Sequence, residues 1–356
     1  MNIKNQLVKI MFALVIAFTA FSCSDDDKQE IAKLSTINDL LKADANYSVL
    51  VKALQVSNIT NFSAGGSYTL FAPDNAAFAS IGITEASLTT LGTSTVAADI
   101  ATLAAYKRIL QNHILGVGTI MSDLLPSSTT SGYSTTSAAG VTGTFLSIFV
   151  NKPSSTILVN GGNAISGGAN VVKQDVDASN GVIHYVDRVI QLPKITNFLL
   201  ANPELSKLKM IVNSGAADPY GDQTGLLATL NGVGPLTLFA PLDTAIDNAT
   251  KTTTPIGFYT GAAVTPANTT KLIQYHIVNT NLRATTSSAW NNTADATLTT
   301  LATPAGSQKF FIAKTTLKLT ELPAQTGLAA SNIKFVNIQA TNGVIHTIDR
   351  VLQPVF

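Results

Sequence analysis

The chain has 356 residues, a formal charge of +1, 46% hydrophobic and only 12% charged residues. That length favours two domains of roughly 100–200 residues, and a charged share about half the usual ~25% suits an extracytoplasmic β-rich protein better than a cytosolic enzyme. No basic cluster exceeds pairs such as Lys107-Arg108, which argues against a nucleic-acid partner.

The N-terminus reads as an address. MNIKNQLVK supplies two lysines and no acid, and IMFALVIAFTAF (10–21) is an apolar run of 12, too short to span a bilayer as a mature helix. This is a signal-peptide layout covering residues 1–22. Ala20-Phe21-Ser22-Cys23 then resembles the lipobox of bacterial lipoproteins, with Ala20 where Leu is usual. The resemblance implies that Cys23 is lipidated; the alternative is a plain secretory signal with an incidental cysteine. No other cysteine exists, so no intramolecular disulfide can form. Ser24-Asp25-Asp26-Asp27 resembles the export signal of Bacteroidetes lipoproteins that reach the outer face of the outer membrane. Its plainer role is a solvated tether, residues 23–32. Losing Lys4 and Lys9 with the leader turns the formal charge from +1 to −1.

Beyond the tether, residues 36–56 place Ile37, Leu40, Leu41, Val49, Leu50, Ala53 and Leu54 at near-helical intervals. TLFA (69–72) predicts a short buried strand ended by Pro73, with Asp74 and Asn75 where a helix N-cap belongs. The segment around His113 reads as helix running into strand. Residues 126–140, rich in Ser, Thr and Gly, read as a surface loop or ribbon. FLSIFVN (145–151), TILVNGG (156–162) and NVVKQDV (170–176) read as strands. NGVIHYVDRVIQLP (180–193) closes the unit. Asn-Gly signals a turn, and the residues after it alternate: Val182, His184, Val186, Arg188 and Ile190 face one side, Ile183, Tyr185, Asp187 and Val189 the other. Both faces are largely apolar, so a central strand is expected.

The chain then repeats itself. Residues 195–212 are helical, with Pro203 opening a second helix. TLFA returns at 237–240 before Pro241 and Asp243. His276 follows, then a Ser/Thr stretch (285–306), then KFFIAK, LKLTEL and IKFVNIQ, then NGVIHTIDRVLQP (342–354). The offset is 168 from Phe71 to Phe239, 163 from His113 to His276 and 162 from His184 to His346. A period this long means tandem domains, divided just after Pro193, with little linker and hence close packing.

The ordered set TLFAPDNAAF, an H-flanked Leu/Ile segment and NGVIHxxDRVI resembles the fasciclin (FAS1) domain, over residues 33–193 and again over 194–356. Unit two departs at Leu242-Asp243 and Ile246. The Tyr-His box is intact as Tyr275-His276 and reads Asn112-His113 in unit one. The resemblance implies an α+β fold, each domain a β-wedge of about seven strands with packed helices. It also implies cell-surface adhesion or matrix binding, with Tyr275-His276 as a candidate contact surface. The alternative for that pair is core packing of at least one of the two.

No catalytic constellation accompanies the four histidines. Asp187 and Asp349 follow His184 and His346 by three residues, which on a strand places them on the opposite face. No G-x-S-x-G elbow, Walker loop, GxGxxG or zinc spacing exists. His184 and His346 therefore read as core histidines bonded to backbone, and the Asp-Arg pairs 187–188 and 349–350 as structural groups pairing elsewhere. Trp290, the only tryptophan, and Tyr133 in the matching stretch are open to two readings: an exposed ligand contact, or a cover for a satellite cluster. The function expected is that of a non-enzymatic lipoprotein without cofactors, anchored to the outer membrane and facing outward. It would bind protein or glycan on cells or matrix. The runner-up is an accessory glycan-binding or scaffold component of an outer-membrane uptake assembly.

Overall fold

The computed structural model describes residues 34–60, 66–125, 131–141, 143–218, 220–251, 265–284, 296–302, 304, 308–313, 316–322 and 329–354. Cys23, Ser24, Asp25, Asp26, Asp27 and Trp290 lie outside these residues.

The first domain opens with α1 (Ile37–Lys42), a 3-10 turn (Ala45–Tyr47) and α2 (Ser48–Val56). Strand β1 (Tyr68–Pro73), α3 (Asn75–Ala79), α4 (Glu85–Thr93), α5 (Ala97–Gln111), β2 (Ile114–Leu115) and α6 (Met121–Leu124) follow. The domain ends in β3 (Ser131–Ala139), β4 (Phe145–Asn151), β5 (Ile157–Val159), β6 (Ala169–Ala178) and β7 (Gly181–Val186). The second domain repeats this plan. It runs through α7 (Ile195–Ala201), a 3-10 turn (Pro203–Leu205), α8 (Ser206–Val212), α9 (Thr224–Asn231), β8 (Leu236–Pro241), α10 (Asp243–Lys251), α11 (Pro266–Gln274) and β9 (Ile277–Val278). It closes with β10 (Ala296–Thr299), β11 (Lys309–Ala313), β12 (Lys318–Leu322), β13 (Ser331–Ala340) and β14 (Gly343–Ile348).

Each domain holds one seven-stranded sheet, ordered β2-β1-β7-β6-β5-β4-β3 in the first and β9-β8-β14-β13-β12-β11-β10 in the second. The repeated phrases meet at its centre. β1 pairs parallel with β7, setting Phe71 beside His184, and β8 pairs parallel with β14, setting Phe239 beside His346. One sheet face packs on the helices and the other curls on itself. Leu70 and Ala72 belong to the helix-side core, whereas Phe71 lies in the core inside the curl.

Caps and turns fix the edges. The Asp74 carboxylate accepts the Ala77 N–H at 2.7 Å and caps α3. Asn75 and Asp243 are not caps. Each sits inside its helix and reaches another: Asn75 accepts the Val49 N–H at 3.0 Å, and Asp243 accepts the Lys207 N–H at 2.9 Å and the Ser206 hydroxyl at 2.5 Å. The Asn-Gly pair does more than turn. Asn180 and Asn342 accept the Ile37 and Ile195 N–H groups at 2.8 and 3.0 Å, tying each first helix to its last strand. A Cβ on Gly181 or Gly343 would lie 1.9 or 2.1 Å from the carbonyl oxygen of Tyr68 or Leu236, so only glycine admits the parallel neighbour.

Of the two readings of 126–140, loop or ribbon, the described part takes the second: residues 131–139 form β3, paired with β4. Ser and Thr are β-compatible when every second side chain meets solvent, which hydroxyl-rich composition alone conceals. In the second stretch, residues 296–299 form β10 and 285–295 lie outside the description.

The domains pack directly. Phe149 and Tyr133 of the first join the core of the second. The Tyr133 ring lies 4.7 Å from Phe149, 5.9 Å from Phe198 and 6.4 Å from Phe335. Its hydroxyl accepts the Asn202 side-chain amide at 3.0 Å, and the Gln339 N–H donates to the Ser147 hydroxyl at 2.9 Å. Tyr133 is thus neither a free ligand contact nor a cover for a satellite cluster, but an anchor between domains.

Candidate functional site

All four histidines are fully buried, and each is a bridge between backbone segments. His113 and His276 directly follow Asn112 and Tyr275, the C-caps of α5 and α11. Nδ1 lies 2.8 Å from the carbonyl four residues back, Ile109 or Leu272, and must carry the proton because a carbonyl only accepts. Nε2 accepts the N–H of Ile190 or Leu352 at 2.9 Å. His184 and His346 hold the opposite tautomer. Nδ1 accepts the N–H of Asp175 at 3.1 Å or Asn337 at 3.3 Å, and Nε2–H donates to Thr119 at 3.0 Å or Leu282 at 2.9 Å. Asp175 and Asn337 stand at positive φ, 55° and 62°, in the β6 and β13 bulges, a conformation these residue types tolerate.

Both ring nitrogens are therefore used and each ring is neutral. Burial drives His113, His276 and His346 down to about 4, and lowers His184 as well. None of the four can present a free nitrogen as a general base without breaking the fold.

The aspartates are clasps. Asp187 accepts both the backbone and side-chain N–H of Asn170 at 2.7 Å, and Asp349 accepts those of Asn332 at 2.8 and 2.9 Å. The arginines differ between domains. Arg188 stays 3.9 Å from Asp187, so this pair is adjacent rather than divergent. Arg350 instead grips Glu321 through two bonds of 2.7 Å, and Glu321 also accepts the Gln353 N–H at 3.0 Å. Glu321, 2% exposed, escaped sequence reasoning. Its only signal was one acid in the strand LKLTEL. Strand register places Gly161 at the matching position of the first domain.

Tyr275-His276 is not a contact surface; the alternative, core packing, holds for both residues. Tyr275 is 1% and His276 0% exposed, with the Tyr275 hydroxyl donating to the Lys309 carbonyl. Burial raises the Tyr275 hydroxyl above its ordinary range. In the first domain Asn112 takes this place, also buried, and donates to the Gln191 carbonyl at 3.1 Å. The remaining motif residues Phe71, Pro73, Phe239 and Pro241 are buried in β1 and β8.

What the sequence did not indicate is an open groove at the seam of the first sheet. Leu115, Val117 and Thr119 line one wall, Ser134 to Ser137 of β3 the other, and Phe145 the end. Val117 is 62% and Phe145 55% exposed, and no lining residue is charged. Among the described residues no group of three or more His, Cys, Asp or Glu is placed to hold a metal, and no helix is long and apolar enough to cross a membrane.

The family model for the Fasciclin domain matches residues 45–193 and 216–354. Transforming growth factor-beta-induced protein ig-h3 of Oryctolagus cuniculus is 26% identical over 265 residues, 72% of this chain; the chain spans 31% of that protein's length. Among solved structures, a FAS1 domain pair from the insect cell adhesion molecule Fasciclin I aligns with a TM-score of 0.46 at 16% identity, covering 89% of this chain and 95% of that one.

Proposed function

Because this chain belongs to the Fasciclin domain family, with two such domains in tandem, we propose that it is a lipid-anchored binding protein of the cell surface. It engages protein or glycan on cells or matrix and carries no reaction. The observation that carries this reading is the fate of its histidines: all four are spent on backbone bonds inside the fold. The surface instead offers an uncharged groove where Phe145 and Val117 stand exposed beside Ser and Thr hydroxyls. Exposed apolar groups rimmed by polar ones mark interaction surfaces. The anchor is proposed at Cys23, with Asp25, Asp26 and Asp27 directing export through the outer membrane.

Purified protein assayed against cells, matrix proteins and a glycan array tests the binding role. Binding above a control lipoprotein, reduced by Phe145→Ala, is expected; none to any of them defeats it. Protease shaving of intact cells tests the address. Cleavage of wild type, with protection when Asp25, Asp26 and Asp27 are all alanine, supports it; protection of both places the protein in the periplasm.

A further inference from the structure

The two cores inside the curl differ at one corner. The Thr119 N–H donates to the Thr69 hydroxyl at 2.7 Å, as the Leu282 N–H does to the Thr237 hydroxyl at 2.8 Å. The carbonyls of the same two residues take the Nε2–H of His184 and His346. Thr119 therefore stands where Leu282 does. Ser134 pairs with Ile148 and Leu298 with Phe310, so Ser134 stands where Leu298 does. A second marker fixes this alignment: the Thr136 hydroxyl donates to the Leu146 carbonyl at 3.1 Å and the Thr300 hydroxyl to the Gln308 carbonyl at 2.9 Å.

In the second domain Leu282 and Leu298 are buried in one cluster with Phe239 and Phe310. In the first, Thr119 and Ser134 are half-buried and stand outside the matching cluster of Phe71, Leu115 and Ile148. Two leucines' worth of core is thus exchanged for short hydroxyl side chains, and the space lies open as the groove, about 440 Å³ in volume. One vacated core leucine leaves roughly 150 Å³, so the groove has room for two.

The walls decide what kind of occupant fits. β2 and β3 are the two edges of the sheet, each hydrogen-bonded to one neighbouring strand. Edge strands accept an added extended segment through main-chain bonds. No lining residue is charged, so a charged occupant would lose its hydration without gaining a partner. The chain's own tether, with Asp25, Asp26, Asp27, Lys28 and Glu30, is mismatched on that ground. β3 also carries Tyr133 into the second domain, so the groove continues a surface already built for protein contact.

We propose that the groove binds an extended, uncharged segment of a partner protein, whose aliphatic side chains take the places that Leu282 and Leu298 fill in the second domain. This rests on the binding reading and narrows its partner to protein.

Fluorescence anisotropy of a fluorescein-labelled hexapeptide of alternating threonine and leucine, titrated with the purified protein, tests it. Binding should saturate, and the same peptide with serine for leucine should bind at least about tenfold more weakly. Thr119→Leu/Ser134→Leu writes the second domain's residues into the first. It should weaken the leucine peptide about tenfold or more and melt at or above the wild-type temperature. Phe145→Ser, at an exposed position, covers the case in which that variant fails to fold; it should weaken binding about threefold with melting unchanged. No saturable binding overturns the proposal. So do equal binding of both peptides and a folded double variant that binds like wild type. Nile red, a neutral apolar dye, saturating wild type but not the double variant while the peptide fails would assign the groove to a small apolar molecule instead. Binding to cells, matrix or glycans that survives the double change leaves the broader reading intact while this one falls.

Discussion

Nε2 of His276 accepts the backbone N–H of Leu352 at 2.9 Å, while its Nδ1 sits 2.8 Å from the Leu272 carbonyl. One ring thus joins the end of α11 to the residues after β14, 76 positions later. His113 repeats the bridge to Ile190, and His184 and His346 make matching bridges in the other tautomer. Removing a ring leaves a cavity and orphans buried backbone groups. His276→Ala and His346→Ala should each lower unfolding free energy by about 2–4 kcal/mol. Urea titrations read this, and ligand binding of the remaining folded protein should be unchanged.

The same burial makes stability depend on pH. Burial holds His113, His276 and His346 down to about 4 in the folded chain, against an ordinary imidazole value of 6.5. Between those values the unfolded chain binds more protons, so stability rises with pH across the window. The contribution is present above pH 6.5, fades as pH falls and is gone below about 4. In full it is worth about 3 kcal/mol per ring. Denaturation midpoints measured from pH 7 to pH 4 should fall steadily; a flat profile would contradict neutral, locked rings.

Buried Glu321 and partly buried Arg350 form a bidentate pair that the first domain, with Gly161 at the matching position, lacks. Glu321→Ala strands Arg350 and should cost about 3–5 kcal/mol, whereas Glu321→Leu with Arg350→Met should cost less than either single change. A double-mutant cycle by calorimetry checks the ordering.

Tyr133 holds the domains together. Tyr133→Phe removes only the bond from Asn202 and should cost about 1 kcal/mol. Tyr133→Ala also empties the space among Phe149, Phe198 and Phe335, at about 3–5 kcal/mol, and should split one calorimetric transition into two.

The tandem layout was legible because Phe71, His184 and their repeats recur in fixed order, and the closing strand's apolar faces announced its central place. The parallel pairing of β1 with β7 was not, since periodicity reports burial and never the partner. Ser131 to Ala139 was hidden because hydroxyl-rich strands and loops share a composition. Tyr275 stood open between contact and core for a related reason: an aromatic beside a histidine looks the same whether its hydroxyl meets water or, as here, the Lys309 carbonyl. Glu321 and the Val117/Phe145 groove are products of register across distant strands, which no local pattern encodes.

Adhesion of intact cells to cells, matrix and glycan surfaces, compared between wild type and a strain lacking this chain, bears most directly on a binding role. Loss of adhesion on deletion, restored by the wild-type chain and only partly by Phe145→Ala, is the expected result. Adhesion unchanged by deletion on every surface would contradict it.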